Sequence, residues 1–315
     1  MSILRKRGKE KLRFRVMNSK VTNSDFKYLK RLFLDCLNEN QDITKQLDET
    51  YKLIQVFFFD ESTDPDVENI LRKTLEDSTI TKSPKPIPAF AQSKKNIGCI
   101  MMFVKHLHEI SKKREDIKDI EKYHKNGIFE ELCHLVEQKG DSSIHSSDYW
   151  ALWKRYSDKG LSNYGNEIIA RLDTDRNHYE VYSMMIRAYA DDWINRYWKY
   201  FEEPFDYDKE YEVWKKNIPI NVVLARLVTD YLRLANVLYV VEKVPCEKTS
   251  ETSLKQLVEM KEKGKHVLES RKNLIRRDMG STALNIIESL DEKTFTTSDI
   301  FFSVISDLWK SLALI

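Results

Sequence analysis

Two short apolar runs, Leu53-Ile-Gln-Val-Phe-Phe-Phe59 and Ile97-Gly-Cys-Ile-Met-Met-Phe103, narrow the choice of fold more than any other feature of the chain. The first is rich in β-branched and aromatic residues and is stopped by acids and Pro65, so it reads as a buried strand, and the second apolar run reads as another. Around them, apolar residues recur at helical spacing. With only 8 Gly and 7 Pro among 315 residues, few positions favour tight turns, so long helices dominate. The fold class predicted is α+β: predominantly helical, with a small sheet beside one functional helix and a helical C-terminal region.

The helical pattern places elements along the whole chain. Phe26, Leu29, Leu32, Phe33, Cys36 and Leu37 mark a helix from Ser24 to about Asp48 behind a Ser-Asp start signal. Further helices are predicted over 66–76, over 128–138 (after Gly127 and ending by Gly140), over 147–156, 166–198, 220–241 and 253–277. A last one is opened by Thr297-Ser298-Asp299. Ser83-Pro-Lys-Pro-Ile-Pro88 reads as an exposed loop, and the stretch after Phe103 as a charged connector. The domain reading is a basic tail over 1–20, a main domain over 21–244, and a helical extension over 245–315 joined by the linker 245–253.

The formal charge of +2 gives no global attraction to nucleic acid or anionic lipid. The basic residues Arg5, Lys6, Arg7, Lys9, Lys11, Arg13 and Arg15 are a local exception, read mainly as a solvated tail or a stretch preceding a start at Met17, and otherwise as an arm for nucleic acid or a membrane surface. Cys36, Cys99, Cys133 and Cys246 form no CxxC pair, and no signal-peptide pattern opens the chain. Together these predict reduced thiols in a cytoplasmic protein. No apolar run reaches membrane-spanning length.

Chemistry concentrates in Phe129-Glu-Glu-Leu-Cys-His-Leu-Val-Glu137. On a helix, Glu130 and His134 leave one face a turn apart, so both can grip one metal ion, and Glu131 lies beside them as a general base for a metal-bound water. The stretch Glu130-Glu131-Leu132-Cys133-His134 resembles the His-Glu-x-x-His helix of zincin-type metallopeptidases, with glutamate in place of the first histidine. His145-Ser-Ser-Asp-Tyr149-Trp150 resembles the downstream segment of small SprT-like members, and Asn166-Glu167-Ile-Ile-Ala170 the third-ligand motif of gluzincins.

The resemblance spans roughly residues 50–190 and implies Glu130 and His134 as metal ligands, His145 or Glu167 as the third, and Glu131 as catalytic base. It implies one divalent ion and a protein or peptide substrate. Zn²⁺ fits such a set, while oxygen donors also admit Mn²⁺ or Fe²⁺. Glu130 adds negative charge, which makes the metal a poorer Lewis acid.

Two further readings share these residues. One is a zincin-like scaffold without catalysis, acting as an interaction module. The other is a helical di-iron protein pairing Glu131-x-x-His134 with Asp175-x-x-His178. His108-Glu-Ile-Ser-Lys112 is a half-motif read as a surface turn. The aromatic series Tyr179, Tyr182, Tyr189, Trp193, Tyr197 and Trp198 reads as core, with a ligand pocket as the other option, and Asp191-Asp192 as a solvated face, with a metal-directed pair as the other option. The charged helix 253–277 is either a partner-binding arm or packed by its sparse stripe of Leu254, Leu257, Met260, Val267 and Leu268.

Overall fold

The computed structural model of the chain describes residues 11–76, 88–113, 119–139, 162–202, 207–243, 249–289, 303 and 305–307. The predicted predominantly helical α+β class is what is observed. The chain divides into two compact units, Met1–Ser143 and Ile144–Ile315, so the boundary expected after residue 244 falls inside the second unit.

The first unit is built on a four-stranded sheet with strand order β1-β2-β4-β3. Its strands are β1 (Leu12–Val16), β2 (Leu53–Phe59), β3 (Ala89–Lys94) and β4 (Ile97–Phe103). β1, β2 and β4 run parallel, and β3 returns antiparallel to β4. The central strands β2 and β4 are buried on both faces, which is why their sequences are nearly continuous apolar runs. β1 lies within the stretch expected to be a solvated tail. There Leu12 and Phe14 turn inward while Arg13 and Arg15 face solvent, a charged edge that discourages pairing with other chains.

Helices cover both faces of this sheet. On one face, Val67, Leu71 and Leu75 of α3 (Asp66–Leu75) pack with Phe57, Phe59, Cys99, Met101 and Phe103. The other face presents Ile54, Val56, Phe58, Ile100 and Met102 on the opposite parity. Phe33 of α1 (Asn23–Glu39) meets Phe14 edge-to-face at 5.6 Å, and Phe26 meets Phe58 at 5.5 Å. The single helix expected over 24–48 is two, α1 and α2 (Gln41–Thr50). Asn40 breaks it with φ −114° and ψ 72°, and its side-chain amide donates to the Cys36 carbonyl at 2.9 Å.

The connector expected after Phe103 is a helix instead, α4 (Val104–Lys113), which buries Val104 and Leu107. The half-motif His108 is on α4 and not in a turn. The next helix, α5 (Ile120–Gln138), begins earlier than expected and carries Gly127 in its interior. The loop expected over 83–88 lies outside the described residues except at Pro88.

The second unit is helical throughout its described residues: α6 (Ser162–Glu202), α7 (Tyr207–Asn217), α8 (Ile220–Val241), α9 (Glu251–Met279) and α10 (Ser281–Glu288). α6 kinks at Tyr189, where φ −140° and ψ 56° leave the helical region. α8 is the central helix, with α6 and α9 packed on it. The aromatic series is core: Tyr182, Trp193 and Tyr197 are buried, with the Trp193 and Tyr197 rings 4.7 Å apart. α9 packs inside the unit through Leu257, Met260, Leu274 and Ile275. Asp191 is not simply solvated, since its carboxylate accepts the Ser250 amide at 2.9 Å at the start of α9. The helices expected over 147–156 and from Thr297 lie outside the described residues, apart from helical turns at 303 and 305–307. No helix of the described residues is long and apolar enough to cross a membrane.

Candidate functional site

The motif residues sit on α5, and the local chemistry explains why that helix is so well fixed. Asp119 caps its start by accepting the Lys122 amide at 3.0 Å. At the other end, the Tyr51 hydroxyl donates to the Leu135 carbonyl at 2.6 Å, satisfying one of the carbonyls a helix end leaves open. The Gln138 amide donates to the Ala91 carbonyl of β3 at 3.1 Å. Gly98 of β4 lets α5 approach closely: a β-carbon there would lie 3.1 Å from Leu135 Cδ1.

This seating divides α5 into two arcs. Ile128, Phe129, Leu132, Cys133, Leu135 and Val136 are buried. Glu130, Glu131, His134 and Glu137 occupy the opposite arc and are half-buried. Glu130 and His134 therefore share a face one turn apart, as the sequence predicted, with Glu131 next to them. Half-burial lowers the local dielectric without removing access, a setting in which carboxylate and imidazole donors hold a cation better than on an open surface.

Cys133 lies on the buried arc and is not a metal donor. Burial raises its thiol well above the ordinary range, and the charge of Glu130 adds to the rise. The setting of α5 against a mixed sheet is not that of a four-helix di-iron bundle.

The third-ligand candidates fare differently. His145 lies outside the described residues, and Glu167 falls on α6 at a position whose side chain is also outside them. His178, which entered the sequence reading only through Asp175-x-x-His178, is a half-buried imidazole on α6. Its ring contacts that of Tyr182 one turn on, with centroids 4.8 Å apart. Within the first unit, Glu130 and His134 are a half-buried carboxylate and imidazole one turn apart, two of the donors a divalent cation takes.

A second polar cluster, which no sequence motif announced, ties α1, α4 and α5 together. His108 bonds Asp25 at 3.0 Å, and its ring lies edge-on to His124 at 6.1 Å. Burial pushes the Asp25 carboxyl up, but hydrogen bonds from Thr22 and His108 outweigh it and hold the group below the usual carboxylate value. Arg31 clamps Glu121 with two hydrogen bonds at 2.9 and 2.6 Å.

No protein-family model, no curated protein and no solved structure matches the chain.

Proposed function

We propose that the protein binds one divalent cation through Glu130 and His134 and acts as a metal-dependent hydrolase of peptide bonds in the manner of zincins, with Glu131 as general base. The observation that carries this reading is the half-buried polar arc of α5, where both donors and the base stand together on a helix fixed at each end.

A third donor completes the set, from His145 or Glu167. An imidazole leaves the site one negative charge less than Glu167 would, so a Glu-His-His set suits catalysis better than two carboxylates. Bound there, a divalent cation supplies Lewis acidity toward a carbonyl oxygen and acidifies water, and Zn²⁺, Mn²⁺ and Fe²⁺ all accept such donors. Glu131 takes the proton of the attacking water and returns it to the leaving amine. We place this activity in the cytoplasm, where buried free thiols such as Cys36, Cys99 and Cys133 persist reduced.

Glu131→Gln separates binding from chemistry. The variant is expected to keep its metal and lose peptide hydrolysis by about a hundredfold or more, while His134→Ala loses both. Hydrolysis in Glu131→Gln equal to that of the wild type would overturn the assignment of the base. Metal binding without hydrolysis of any peptide would favour the non-catalytic interaction module instead.

A further inference from the structure

The second unit holds a half-open cleft of about 340 Å³ between α8, α9 and α10, within the size range of small-molecule sites. Its apolar lining comes from Ala235, Leu238, Leu268 and Ile287. Its charged lining is unequal. Lys272 pairs with Glu288 at 2.9 Å, so these two offset one another. Lys261 and Lys265, one turn apart on α9, line the same cleft and have no ion pair among the described residues, against the single carboxylate of Glu242. Two unpaired ammonium groups beside apolar surface are complementary to an anion that carries an apolar body.

Tyr231 supplies an independent observation. Its side chain lines the cleft and is only 5% exposed. A phenol at the wall of a cleft can donate a hydrogen bond to a ligand oxygen. Burial, then the charge of Glu288, pushes this phenol up to about 12, so it keeps its proton and remains a donor.

We propose that this cleft binds a small amphiphilic carboxylate, its apolar body against Leu238, Leu268 and Ile287, its charge at Lys261 and Lys265, and with Tyr231 donating a hydrogen bond inside the cleft. The proposal is independent of the metal reading, since it uses no residue of α5 or α6. Calorimetric titration of the full chain with decanoate tests it, beside decyltrimethylammonium and 1-decanol as probes of the same length. One decanoate is expected to bind per chain, more tightly than either probe. Lys261→Gln/Lys265→Gln weakens decanoate by about fivefold or more and leaves 1-decanol unchanged, while Tyr231→Phe weakens decanoate with no change in helix content. Decyltrimethylammonium binding as tightly as decanoate, no saturable decanoate binding, or equal decanoate affinity in the double variant would each overturn it. The first two outcomes need no variant to fold.

Discussion

Tyr28 donates its phenolic hydrogen to Nδ1 of His124 at 3.1 Å, while Nε2 of the same ring donates to the Leu107 carbonyl at 3.3 Å. The two partners together select the neutral tautomer protonated at Nε2. Burial lowers the pKa of His124 below its ordinary 6.5, and the neighbouring His108 adds to the fall. The unfolded chain therefore binds this proton first. Stability is retained above about pH 6.5 and falls as the pH drops below that value toward the lowered one. Thermal melts of the full chain at pH 7.5 and 5.5 should show the loss, and His124→Gln should reduce the difference between the two.

Removing the donor tests the same pair from the other side. Tyr28→Phe leaves the ring packing in place and strips one hydrogen bond from a buried imidazole. It should cost about 0.5–1.5 kcal/mol in urea unfolding at neutral pH.

Gly98 is where the sheet admits α5. An added β-carbon would meet Leu135 Cδ1 at 3.1 Å and Ile54 Cγ1 at 3.4 Å, and Leu135 is fully buried, so it has little room to yield. Gly98→Ala should destabilise the chain by about 1–3 kcal/mol. Combining it with Leu135→Ala should cost less than the sum of the two, a coupling that a double-mutant cycle reads directly.

The thiols of the first unit should be silent in the folded state. Burial pushes Cys36 up to about 12 and raises Cys99 and Cys133 further from reactivity. Peptide mapping after iodoacetamide at pH 7.5 should find all three unmodified in native protein and all three alkylated in denaturant.

Asp278 holds together the α7–α9 pairing. It accepts from Lys215 at 3.3 Å and from Arg277 at 2.7 Å, and the hydrogen bond from Arg277 leads those that outweigh burial and keep its carboxyl below 3.8. Because the folded value is depressed, its contribution is present above the unfolded carboxylate pKa and is lost as pH falls through the folded one. Asp278→Asn should lower stability at pH 7 by about 1–2 kcal/mol and reduce the acid sensitivity of unfolding below pH 4.

The contrast between strands shows what was legible in the sequence. β2 and β4 have matching bounds in sequence and structure because central strands must be apolar on both faces, and that leaves an unbroken run. β1 and β3 are edges. Leu12-Arg-Phe-Arg-Val16 alternates apolar with basic residues and is ordered by pairing with β2, while Ala89-Phe-Ala-Gln-Ser-Lys94 is ordered by pairing with β4. Neither pairing is a local property, and the residues of β1 alone resemble a tail. The break at Asn40 and the persistence of α5 through Gly127 are also decided by packing over propensity. At the site, the i,i+4 relation of Glu130 and His134 was readable because it needs only one helix. A third donor was not fixed, since a donor from a distant helix leaves no spacing to detect.

Metal stoichiometry tests the central claim most directly. Chelator-stripped full chain, titrated with Zn²⁺ and with Mn²⁺ and assayed for bound metal after gel filtration, should retain one equivalent. Glu130→Gln and His134→Ala should each lose it. Absence of saturable binding in the wild type, or one equivalent retained by both Glu130→Gln and His134→Ala, would contradict the account.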